Sequence, residues 1–77
     1  MLIEIFGSGC AKCEVLTKHA KLAVEESGGS HEVVKVSDYA AMAARGILST
    51  PALAIDGRLR FQGKVATVAE ILALLKN

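Results

Sequence analysis

Hydrophobic and polar positions along the chain change period several times, and each change marks an element. Residues Leu2–Phe6 are short, apolar and rich in β-branched side chains, and they run into Gly7-Ser8-Gly9, the pattern of a strand feeding a turn. From Cys10 the apolar positions fall at helical spacing, at Cys13, Leu16, Ala20, Ala23 and Val24. Glu14 with Lys18 and Lys21 with Glu25 are opposite charges one helical turn apart on the outer face. The stretch therefore reads as an amphipathic helix, closed by Gly28-Gly29 as a left-handed cap and turn. Residues 31–36 supply Val33, Val34 and Val36 to a second strand, and a helix between two strands calls for a parallel pair joined by a right-handed crossover.

Ser37 or Asp38 can cap a short helix over residues 39–45, with Gly46 beyond its end. After an irregular stretch at 47–51, Ala52–Ile55 and Arg58–Gln62 flank Asp56-Gly57, a two-residue turn that makes them an antiparallel hairpin. Thr67 and Glu70 form a capping box, and Val68, Ile71, Leu72 and Leu75 form the buried stripe of a last helix over 67–76. The order is βαβαββα, an α/β fold with one mixed four-stranded sheet and three helices. No repeat or linker interrupts it, so a single domain over residues 1–77 is expected.

Composition narrows the function. With 52% hydrophobic and 22% charged residues the chain belongs to compact globules, not to disordered polymers. A formal net charge of +1 gives no field suited to nucleic acid or an acidic membrane surface. The apolar run at the N-terminus is too short for a signal segment or a membrane span, so a cytoplasmic location is expected, with thiols kept reduced. A chain of 77 residues leaves room for shallow binding features and one site.

That site is expected at the two cysteines, Cys10 and Cys13. A disulfide between them closes almost no loop and would stabilise the fold by about 2 kcal/mol at best, so a structural staple is a poor explanation. Cys10 opens a helix, where unpaired N–H groups and the helix dipole favour a thiolate. Lys12 places a further positive charge nearby, or is simply solvated. Cys13, one turn later and toward the apolar stripe, is expected to be the more buried sulfur. Three chemistries fit such a pair: dithiol–disulfide exchange, soft-metal binding, or inert packing.

Taken with this element order, Cys10-Ala11-Lys12-Cys13, Thr50-Pro51 before the third strand and Asp56-Gly57 in the hairpin resemble the thioredoxin superfamily in its minimal thioredoxin/glutaredoxin-like form. The resemblance covers essentially the whole chain. It implies a protein-disulfide oxidoreductase in which Cys10 attacks a substrate disulfide and Cys13 resolves the mixed disulfide. It implies a cis Thr50–Pro51 bond, with the Thr50 backbone accepting an extended substrate segment as an added strand. It implies no cofactor beyond the cysteine pair, and electrons from a thioredoxin-reductase-type enzyme, with glutathione second because no glutathione-binding set is recognisable. Glu4 stands six residues before Cys10, where thioredoxins carry a buried carboxylate that can relay a proton to the resolving cysteine; the plainer reading lets Glu4 reach solvent at a sheet face or edge. The chain departs from thioredoxins in having no tryptophan and no Gly-Pro between the cysteines.

Two other functions compete. A carrier of Cu(I) or Zn(II) would use the same CxxC, but that ferredoxin-like family ends in a strand and has no use for Thr50-Pro51. His19 lies about 120° around the helix from Cys13 and does not complete a metal site. A non-catalytic interaction module would keep the fold alone, and nothing in the charge pattern supports a specific partner. Tyr39 and Phe61 are expected as half-buried packing residues, His31 as a solvated residue at a strand entrance, and Arg58, Arg60 and Lys64 as a basic edge that discourages strand pairing between molecules. A monomer is expected.

Overall fold

The computed structural model describes residues 1–7 and 11–75. Its elements are β1 (Leu2–Phe6), α1 (Ala11–Ser27), β2 (Glu32–Val36), α2 (Tyr39–Ala44), β3 (Ala52–Ile55), β4 (Arg58–Gln62) and α3 (Val68–Leu75). The strands form one sheet in the order β2-β1-β3-β4. β1 is parallel to β2 and antiparallel to β3, and β3 is antiparallel to β4. The predicted element order and mixed sheet are both present.

Side chains alternate across the sheet, so β1 serves two cores. Ile3 and Ile5 face α1 and α3 and pack with Leu16, Ala20, Ala23, Leu53 and Ile71. Phe6 points the other way and packs with Met42, Ile47, Ala52 and Ala54 under α2. β3 is buried at all four positions because it lies inside the sheet with helices on both faces, which is why it reads as an unbroken apolar run.

Local chemistry ends the elements as expected. Asp38 caps α2 by accepting from Ala40 N at 2.9 Å. Asp56 and Gly57 both adopt positive φ, 51° and 84°, as a tight hairpin between right-twisted strands demands. Thr67 and Glu70 exchange hydrogen bonds of 3.0 and 3.1 Å at the start of α3.

Three expectations change. Glu14 reaches across to Lys35 of β2, 3.2 Å away, so the charge on this face of α1 serves a tertiary contact. Tyr39 is 69% exposed. It is the first residue of α2, the helix that follows the edge strand β2. His31 is half-buried, its Nδ1 3.0 Å from the amino group of Met1. Phe61 is half-buried as expected and lies under the Lys64 ammonium at 4.9 Å. Arg58 and Arg60 stand exposed on β4, an edge strand.

Topology gathers the chemistry at one end of the sheet. Ala52 pairs with Phe6, so the entrance of β3 lies beside the exit of β1. Gly7 N donates to Val36 O at 3.0 Å, bringing the exit of β2 there, and Gly63 N donates to Pro51 O at 2.9 Å, bringing that of β4.

Candidate active site

Cys13 is 2% exposed and sits on the inner face of α1 with Leu16 and Ala20. Its Sγ lies directly against Gly7, the first residue after β1. The Thr17 hydroxyl, also buried, donates to the Cys13 carbonyl at 2.9 Å and so satisfies its O–H donor within the helix. Helical spacing of apolar residues passes over Thr17, and its back-bond explains how a hydroxyl is tolerated there. Cys10, the expected nucleophile, lies outside the described residues, as do Ser8 and Gly9. Lys12 is exposed.

The Thr50–Pro51 bond is cis, with Pro51 buried and Thr50 exposed. Pro51 enters β3 at the end of the sheet where Gly7 meets Cys13, so the fold brings Cys13 and the Thr50-Pro51 segment to one rim. The preceding loop is anchored by buried Ile47, and Leu48 N donates to Gln62 Oε1 at 3.0 Å. Leu48 itself is 90% exposed, an apolar side chain held out at the same rim. Its position three residues before Pro51 was the only sign of it in the sequence.

Glu4 lies in the middle of β1. It shares the sheet face of Phe6, while α1 packs on the face of Ile3 and Ile5. Its carboxylate accepts two hydrogen bonds from Arg45, at 3.1 and 3.2 Å, and Arg45 also donates to Gly57 O at 3.3 Å and stacks over Phe6 at 5.2 Å. The carboxylate is thus turned toward α2 and the hairpin. No sequence rule pairs Glu4 with Arg45, 41 positions away.

His19 Nδ1 is 2.8 Å from Ala66 O. A carbonyl only accepts, so this nitrogen carries the proton and His19 ties α1 to the approach of α3. Among the described residues no group of three or more His, Cys, Asp or Glu side chains is placed to hold a metal ion. No described helix is long and apolar enough to cross a membrane.

Residues 1–76 match the family model described as a thioredoxin domain. The chain belongs to the thioredoxin-domain family. It is 40% identical over 75 residues to a thioredoxin of Methanothermobacter thermautotrophicus, covering 97% of each chain. It is 42% identical over 77 residues to a thioredoxin of Methanocaldococcus jannaschii, covering all of this chain and 88% of the relative. Membership of the thioredoxin family makes it a thiol–disulfide oxidoreductase.

Proposed function

We propose that the chain is a protein-disulfide oxidoreductase whose working group is the Cys10/Cys13 pair. The observation that carries this reading is the buried Cys13 sulfur at the sheet end where β1 exits, beside the entrance of Pro51. Cys10 precedes Ala11, the first residue of a 17-residue helix, and the positive end of a helix favours a thiolate over a thiol. The Cys10 thiolate attacks a substrate disulfide, forming one mixed S–S bond and releasing the first substrate thiolate, which takes up a proton. Cys13, having lost its proton, then bonds to Cys10, and the second substrate sulfur leaves with the electron pair. Two electrons pass to the substrate and the protein is left with a Cys10–Cys13 disulfide.

The reaction requires no cofactor besides the dithiol. The backbone of Thr50, an exposed residue, is read as an edge that an extended substrate segment joins, and Leu48 as an apolar contact beside it. Lys12 contributes a nearby positive charge. Glu4, engaged by Arg45, is read as a structural ion pair and not as a proton relay. Disulfide-bearing proteins are the substrates, a thioredoxin-reductase-type enzyme the electron donor ahead of glutathione, the cytoplasm the compartment, and a single-domain monomer the working unit.

Trapping decides the roles. Cys13→Ser is expected to accumulate mixed disulfides with substrate proteins through Cys10, and Cys10→Ser to accumulate none. Capture by Cys10→Ser alone reverses the assignment, and stoichiometric soft metal on anaerobically purified protein replaces it with the metal-carrier reading.

A further inference from the structure

A β-carbon built on Gly7 would overlap Cys13 Sγ and come within 3.1 Å of Cys13 Cβ. Gly7 is not among the glycines at positive φ, which include Gly28, Gly46, Gly57 and Gly63, so a left-handed φ is not what calls for glycine there. Nor is it free to move off, because its N–H is held by Val36 O at 3.0 Å. What requires glycine here is the sulfur. With no side chain on Gly7, the sulfur of Cys13, a residue only 2% exposed, lies flush against the end of β1.

We propose that Gly7 is a positioning residue for Cys13, setting where its sulfur stands for the resolving step. The assignment rests on the dithiol reading given above. In that step Cys13 Sγ forms a bond to Cys10 Sγ while the bond from Cys10 to the substrate sulfur breaks. The substrate sulfur leaves with the electron pair and is protonated, the Cys13 proton having passed to water. A methyl group on Gly7 drives Sγ from its seat, and displacement of a reacting atom by about 1 Å can cost up to about a hundredfold in rate. The first attack is made by Cys10 and forms no bond to Cys13 Sγ, so the two steps can be read separately.

The test is rapid mixing of the reduced protein with dithiobis(nitrobenzoate), which releases one coloured thiolate on attack and a second on resolution. Gly7→Ala is expected to leave the first phase within about twofold and slow the second at least about tenfold. A variant with both phases unchanged, or both slowed alike, overturns the assignment. A wild-type protein that never releases the second thiolate removes the dithiol reading itself, and this role with it. Thermal unfolding tests the contact separately. The loss of stability on Gly7→Ala is expected to fall by more than half in a Cys13→Ala background, where the sulfur is gone. If Gly7→Ala does not fold, the double variant is expected to regain a cooperative transition; an equal loss in both backgrounds, or a double variant that still fails to fold, overturns it.

Discussion

Removal of the Arg45 side chain tests how the far face of the sheet is held. The guanidinium makes a two-pronged contact with Glu4, a hydrogen bond to Gly57 O and a stacking contact with Phe6. Arg45 is 35% and Glu4 16% exposed at the side chain, so the pair lies between an open surface bridge, worth about 0–1 kcal/mol, and a buried one. Leaving Glu4 without its partner costs about 1–2 kcal/mol, and the lost ring contact and carbonyl bond add about 0.5 kcal/mol each. Arg45→Ala is therefore expected to cost about 2–3 kcal/mol, which in a domain of this size lowers Tm by roughly 10–20 °C. Arg45→Lys keeps the charge but not the planar fork and is expected to restore less than half of the loss. Urea unfolding of Arg45→Ala, of Glu4→Ala and of the double variant completes a double-mutant cycle. A loss below about 0.5 kcal/mol, the range of ordinary surface changes, would refute the reasoning. So would an equal loss with Glu4 already removed, since the coupling would then be absent.

Two further outcomes follow from the same structure. The Glu70 carboxyl is held below its ordinary value, chiefly by the Thr67 backbone N–H and then by Lys64. A carboxyl lowered on folding stabilises the fold above its unfolded value and loses that contribution as pH falls through the folded one, so the stability advantage of wild type over Glu70→Gln is expected at neutral pH and should shrink on acidification. Denaturation at a series of pH values checks this, and a gap that widens toward acid pH contradicts it. Leu16→Ala opens a cavity beneath a fully buried residue and is expected to cost about 2–5 kcal/mol, enough to unfold much of a small domain at room temperature, whereas the half-exposed Leu22→Ala should stay within about 0.5 kcal/mol of wild type. Circular dichroism and urea titration separate the two variants.

The resemblance carried in Cys10-Ala11-Lys12-Cys13 and Thr50-Pro51 led to the family, and the matching thioredoxin-domain model and relatives bear that out. Expectations that depended on neighbours distant along the chain fared less well. Tyr39 carries an aromatic ring, but in the fold it stands 69% exposed at the start of α2. Glu14 has Lys18 one turn away, yet Lys35 on the adjoining strand holds it. Glu4 has no oppositely charged neighbour within a turn of the chain, yet it meets Arg45, 41 positions away, on the α2 face of the sheet.

By itself the sequence determined what is local. Caps at Asp38 and Thr67, the Asp56-Gly57 turn and the apolar periods of α1 and α3 depend on residues within a few positions of one another, so their energetics can be read from the chain in order. Only the tertiary structure decided which groups meet across the fold. Packing of α1, of the end of α2 and of the approach to α3 against the sheet puts the Cys13 sulfur on Gly7, Arg45 on Glu4 and His19 on the Ala66 carbonyl. These contacts follow from how the sheet faces and helices pack together, and residue order along the chain does not encode that packing locally.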